Sequence, residues 1–130
     1  MPDKDLTIAF IGGGTMAEAI LAGILGKQIA APSAIAVGEP LAHRQEHLSN
    51  RYGVKTTPAN LKAIDGAQIV VLAVKPQQLG DVMAELQGRL APSQAVLSIV
   101  AGATVDTISR GLDHPAVIRV MPNTPAQVGQ

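Results

Sequence analysis

The run Ile8-Ala9-Phe10-Ile11-Gly12-Gly13-Gly14-Thr15-Met16-Ala17 joins an apolar tetrapeptide to three glycines and then to the start of a second apolar segment. A continuous apolar run with no polar face reads as a buried strand, and the glycines end it. From Gly12 the sequence fits the pattern G-x-G-x-x-A, in the context the pattern requires: just after a strand and at the opening of a helix. Gly12 permits the tight turn, Gly14 leaves room for a diphosphate against the backbone, and Ala17 lets the helix approach the sheet closely. The free N–H groups and the positive dipole end of that helix would then face phosphates. Three glycines also serve as a plain tight connection, so the flanking pattern has to discriminate.

Outward from this turn, residues 15–25 place Met16, Ile20 and Ile24 four apart, the mark of a helical face, and Gly26 is expected to stop it. Pro32-Ser33 breaks the chain before a short strand over 34–37. Residues 41–52 are polar except at Leu41, Leu48 and Tyr52 and suit an outer helix closed by Gly53, followed by a brief strand over 54–56. Thr57-Pro58-Ala59-Asn60 is expected to open a short helix with Pro in its first turn. Residues 68–74 form the clearest strand, ended by Pro76, and Leu79, Val82, Met83 and Leu86 mark a helix packed on one side. A strand over 95–100 follows, then a helix capped by Thr104 with Asp106 in its first turn, and a last strand over 117–120. Two successive strand–helix–strand halves predict an α/β fold, a Rossmann-type doubly wound parallel sheet of about six strands in three αβα layers. No linker or repeat divides residues 1–130, which read as one nucleotide-binding domain.

Composition agrees. The chain has 130 residues, 10 Lys and Arg against 10 Asp and Glu, and no cysteine. A balanced charge argues against nucleic acid or an acidic membrane as a partner held by charge. The absence of cysteine excludes disulfides, thiolate metal sites and a cysteine nucleophile. The longest apolar run, residues 69–74, is too short to span a bilayer, and the first five residues lack the order of a secretory signal, so a cytoplasmic location is expected. Phe10 and Tyr52 are the only aromatic residues, which leaves Val, Ile, Leu and Ala to build the core.

A second marker is Glu39, at the end of the second strand and 27 positions after Gly12. A carboxylate there can accept hydrogen bonds from a ribose 2′-hydroxyl and would repel a 2′-phosphate, by roughly 4 kcal/mol for unit charges about 4 Å apart at an effective dielectric of 20. His43 and Arg44, one helical turn on, can instead neutralise such a phosphate, so the choice between NADH and NADPH stays open. No nucleophile–base pair or metal-ligand spacing is recognisable, which suits chemistry carried by a cofactor.

Four segments together carry a resemblance: Ile11-Gly12-Gly13-Gly14-Thr15-Met16, Ala73-Val74-Lys75-Pro76, Ser98-Ile99-Val100-Ala101-Gly102 and Met121-Pro122-Asn123-Thr124-Pro125-Ala126. In order and spacing they resemble pyrroline-5-carboxylate reductase, whose members transfer a hydride from NADPH or NADH to the C=N bond of 1-pyrroline-5-carboxylate in the last step of proline biosynthesis. The resemblance implies that Ile11, Gly12, Gly13, Gly14, Thr15 and Met16 line the diphosphate and its ribose. It further implies that Asn60 reaches the adenosine side, and that Ala73, Val74, Lys75 and Pro76, with Val100, Ala101 and Gly102, pass beneath the cofactor. Met121, Pro122 and Asn123 would lie nearest the nicotinamide. Glu39 stands where the family often has a small hydroxyl residue, a departure that puts the usual NADPH preference in doubt. Lys75 reads equally as a solvated strand end, Ala101-Gly102 as a turn, Asn123 as a turn former and His114 as a structural residue. Members of that family continue into a helical dimerisation and substrate domain. The expectation is therefore an N-terminal portion that binds dinucleotide with little reductase activity alone, from a homo-oligomeric enzyme. A sheet edge left open at the last strand would favour self-association. Other readings are a reductase of the 3-hydroxyacid or F420-dependent type and a non-catalytic NAD(P)-sensing module.

Overall fold

The computed structural model describes residues 6–120. Strands Ile8–Ile11 (β1), Ile35–Gly38 (β2), Lys55–Thr57 (β3), Ile69–Leu72 (β4), Ala95–Ser98 (β5) and Val117–Arg119 (β6) form one parallel sheet in the order β3-β2-β1-β4-β5-β6. Helices Thr15–Gly26 (α1), Ala42–Tyr52 (α2), Asn60–Ile64 (α3), Pro76–Leu86 (α4) and Val105–Leu112 (α5) connect them. The doubly wound α/β sheet expected from the alternation is present.

Side-chain alternation along the strands sorts the core into two halves. Ile8 and Phe10 join Ile35, Val37 and Val71 beneath Ala17 and Leu21 of α1 and Leu48 of α2. Ala9 and Ile11 join Val70, Leu72 and Val96 beneath α3, α4 and α5, which contribute Ala63, Ile64, Leu79, Val82, Leu86, Ile108 and Leu112. Because β1 is buried on both faces, its sequence has no polar alternation at all. β1 pairs with β2 on one side and β4 on the other, Ile11 lying opposite both Gly38 and Leu72. The chain therefore reverses its direction of travel across the sheet at β1, with α1 and α4 on opposite faces, the arrangement at which doubly wound sheets generally take ligands in a crevice beyond the strand ends.

Several local expectations need correction. Ala17 and Leu21 are the fully buried residues of α1; Ile20 and Ile24 pack half-buried against the same core as expected, whereas Met16 is 47% exposed. This helix is apolar nearly all round, so spacing alone had several stripes to choose from. α1 does end at Gly26, but the left-handed residue beyond it is Gln28, at φ 58°, rather than the glycine. Pro58 lies before α3 rather than in its first turn, because the Thr57 hydroxyl accepts from Ala59 N–H at 3.1 Å and makes a turn there. Pro76 opens α4 as its first residue in addition to following β4. β6 is only half covered: Val117 packs on the core, but Ile118 on the other face is 58% exposed. No helix among the described residues is long and apolar enough to cross a membrane.

Candidate dinucleotide site

All six strands run in one direction, so the loops that follow them gather at one edge of the sheet. The glycine turn lies at that edge, and its three glycines do different things. Gly12 has φ +103°, and a Cβ there would fall 2.7 Å from the Ala73 carbonyl oxygen and 3.2 Å from Val74 Cγ1. It is required for the close approach of the loops after β1 and β4, and its N–H donates to Gly38 O at 2.8 Å. Gly13 is buried, and a Cβ there would press on Leu48, Val37 and Glu39 at 2.9, 3.1 and 3.2 Å. Gly14 precedes α1 with φ −84°, and no atom lies within 4 Å of the place its Cβ would occupy.

The start of α1 is left electrostatically open. Gly14 supplies no side-chain cap, and the first N–H groups of any helix lack partners within it. At α5, by contrast, Thr104 Oγ1 accepts from Thr107 N–H at 3.1 Å. Gly14, Thr15 and Met16 are exposed, so the positive end of the α1 dipole faces solvent at this edge of the sheet. Main-chain donors beside a space kept clear by an absent side chain fit a diphosphate.

Glu39 is only 6% exposed. Oε1 accepts from Gly13 N–H at 2.8 Å and Oε2 from Leu41 N–H at 2.9 Å, so the carboxylate is turned inward onto the main chain. Two of its four acceptor positions remain. Arg44 Nε donates to Gly13 O at 2.8 Å and Nη2 to Glu18 Oε1 at 2.9 Å. Glu18 Oε2 accepts from Tyr52 Oη at 2.7 Å and meets His47 Nε2 at 3.0 Å. The Tyr52 hydroxyl above all, then His47 and the Arg44 guanidinium, hold the Glu18 carboxyl down at about 2 from its usual 4.5. Sequence reasoning missed this cluster. Its signal was a lone acidic residue in an apolar helix, facing polar residues at positions 44, 47 and 52 along a single helix.

The remaining expected residues fall around the same edge. Ile11 is buried beneath the turn, and its carbonyl accepts from Ala73 N–H at 2.9 Å. Ala73 and Val74 are half-buried, while Lys75 and Pro76 are exposed at the start of α4. Asn60 opens α3 over Gly38, where its side chain occupies the space a Cβ would need, and Nδ2 donates to Glu85 Oε1 at 2.9 Å. Val100 is buried with its N–H on Ser98 Oγ at 3.1 Å, and Ala101 and Gly102 are exposed. Met121, Pro122 and Asn123 lie outside the described residues.

Features at the opposite edge are structural. His114 is 5% exposed and its Nε2 meets Gln94 O at 2.5 Å. A cavity of about 640 Å³ there is bordered by Lys62, Asp65, Gln68, Arg89 and Gln94. Gln94, the buried polar side chain in its wall, is fully committed: Nε2 donates to Ile64 O and Ala67 O at 2.7 and 2.8 Å, and Oε1 accepts from Ala91 N–H at 2.8 Å.

Comparison with known proteins agrees with this geometry. A family model described as NADP oxidoreductase, coenzyme F420-dependent, matches residues 7–102. A pyrroline-5-carboxylate reductase of Synechocystis sp. is 44% identical over 95% of this chain and 46% of its own length. One from Glycine max is 38% identical over 100% of this chain and 47% of its own length. The solved structure of a pyrroline-5-carboxylate reductase from Coxiella burnetii is similar with a TM-score of 0.85 at 35% identity, covering 95% of this chain and 46% of that one. The chain thus spans about half the length of the curated relatives it matches. On a match that runs from the strand before the glycine turn to the loop after β5, the chain belongs to the family of NADP oxidoreductases described as coenzyme F420-dependent.

Proposed function

We propose that this chain is the dinucleotide-binding portion of a pyrroline-5-carboxylate reductase, taking NADPH or NADH as the hydride donor and 1-pyrroline-5-carboxylate as the acceptor in the full-length enzyme. The observation that carries it is the open amide face of α1: Gly14 leaves clear space beside unpaired main-chain donors at the switch point of a parallel sheet. The imine substrate rests on kinship with the Synechocystis and Glycine max enzymes. When bound, the reduced nicotinamide supplies a hydride, and the protein supplies orientation and electrostatics.

The chain's own residues divide that work. Gly14, Thr15 and Met16 present amides to the diphosphate, and Ile11, Gly12 and Gly13 set the path of the turn. Ala73 and Val74 crowd against Gly12 and floor the crevice, and Lys75 offers an exposed cation at the start of α4. Val100, Ala101 and Gly102 extend that floor after β5. Asn60 bounds the adenosine side beside Gly38. Met121, Pro122 and Asn123 are assigned to the nicotinamide end on sequence resemblance alone. A further domain completes the substrate site and the homo-oligomer.

Two proteins test the reading in an assay that follows oxidation of NADPH or NADH with 1-pyrroline-5-carboxylate: this chain, and a version extended to the length of its relatives. Turnover is expected from the longer protein and little or none from the 130 residues. A longer protein that binds dinucleotide but leaves the imine untouched would favour the sensing module instead.

A further inference from the structure

The middle residue of the glycine turn is gripped by both of its polar main-chain groups. Its N–H is held by Glu39 Oε1 and its carbonyl by Arg44 Nε, each at 2.8 Å. Arg44 is itself anchored, because Nη2 sits 2.9 Å from Glu18 Oε1 and the pair is sheltered, at 23% and 20% side-chain exposure. Tyr52 and His47 hold the other oxygen of Glu18 in place.

The Gly13 carbonyl and the Gly14 N–H belong to one planar trans peptide and point in opposite directions. Fixing the carbonyl onto Arg44 therefore aims the Gly14 N–H away from α2. Glycine resists rotation of such a peptide less than any other residue, so a turn of three glycines needs an external hold to keep one orientation. A carbonyl rotated toward an anion would present the negative end of the peptide dipole to it.

We propose that Arg44, steadied by Glu18, is a positioning residue that aims the Gly14 amide at the diphosphate and so sets dinucleotide affinity without touching the ligand. This rests on the dinucleotide reading above. It gives Arg44 a different task from neutralising a 2′-phosphate, and one that does not distinguish NADH from NADPH.

The test is calorimetric titration of the 130-residue chain with NADH and with NADPH, well below the melting temperature, for wild type, Arg44→Gln, Arg44→Lys and Glu18→Gln. Arg44→Gln is expected to raise both Kd values by the same factor, roughly three- to thirtyfold. It is also expected to move the Gly14 amide resonance in the unliganded protein. Arg44→Lys recovers part of the loss, since an ammonium can reach the Gly13 carbonyl but cannot fork to Glu18 as well. Unchanged affinities would overturn the proposal, and so would a loss confined to NADPH, which would make Arg44 a direct ligand of the 2′-phosphate. Should Arg44→Gln fail to fold, Glu18→Gln carries the same test: a parallel loss for both cofactors supports the proposal and unchanged affinities reject it. Failure of the wild type to bind either dinucleotide would instead remove the dinucleotide reading itself.

Discussion

Alanine placed in turn at Gly12, Gly13 and Gly14 separates the part of the glycine turn that folds the protein from the part that binds. At Gly12, φ +103° is a conformation that costs an L-residue about 1–3 kcal/mol. The new Cβ would also lie 2.7 and 2.9 Å from the carbonyl oxygen and carbon of Ala73, backbone atoms that cannot swing aside. Overpacking of this kind costs a further 1–3 kcal/mol or so, for a total of about 2–6. With a urea dependence of about 2 kcal/mol per molar, the unfolding midpoint drops by roughly 1–3 M. Gly13→Ala meets side-chain atoms of Leu48, Val37 and Glu39, which can yield, and should lose about 1–3 kcal/mol. Gly14→Ala has an ordinary φ and open space, so only about 0.5 kcal/mol is expected from the poorer helix cap. Its methyl group, however, projects into the space assigned to the diphosphate, and NADH affinity should fall by about tenfold or more, about 1.4 kcal/mol. Urea melts and calorimetric titrations of the three variants read both quantities. A Gly12→Ala protein as stable as wild type, or a Gly14→Ala protein that binds NADH as wild type does, would overturn this division of roles.

Two further outcomes concern stability. The depressed Glu18 carboxyl stabilises the fold fully above about pH 4.5, and that contribution is lost as pH falls toward about 2, because the unfolded chain takes up the proton first. The ceiling is about 3 kcal/mol, and screening of a side chain that is 20% exposed leaves on the order of 1–2. Urea melts at pH 6 and pH 3 should therefore show a smaller acid loss in Glu18→Gln than in wild type, and parallel losses would contradict the assignment. Gln94→Leu leaves the buried Ala67 carbonyl and the Ala91 N–H without their partner, while the Ile64 carbonyl keeps the Ala67 N–H, and thermal melts should register a loss of about 1–3 kcal/mol. Dinucleotide affinity should be unchanged, since Gln94 lies at the far edge of the sheet.

The fold was largely legible because its buried parallel strands need uninterrupted apolar runs. Ile8-Ala9-Phe10-Ile11 and Ile69-Val70-Val71-Leu72 declare themselves for that reason, as does the glycine turn, where Gly12 and Gly13 each lack room for a side chain. The buried face of α1 was only partly legible: Ile20 and Ile24 pack against the core as their spacing suggested, but Met16 is as apolar as Ala17 and Leu21, and contact with the sheet buries those two and not it. The start of α3 was misread because a hydroxyl two residues away, on Thr57, caught the Ala59 amide. At the site, spacing pointed to Glu39 and Arg44 but not to what they touch. Both face Gly13 across a gap of more than two dozen residues, and only the parallel pairing of β1 with β2 brings them there. Glu18 escaped notice because its partners lie on another helix.

The placement of a diphosphate on the main-chain amides where β1 bends into α1 is tested most directly by following the ¹⁵N–¹H resonances of this chain during titration with NADPH. The largest shifts should fall on Gly14, Thr15 and Met16, with Gly12 and Gly13 close behind. Shifts centred on Gln68, Arg89 and Gln94 at the opposite edge, with the amides of Gly14, Thr15 and Met16 unmoved at saturation, would contradict it.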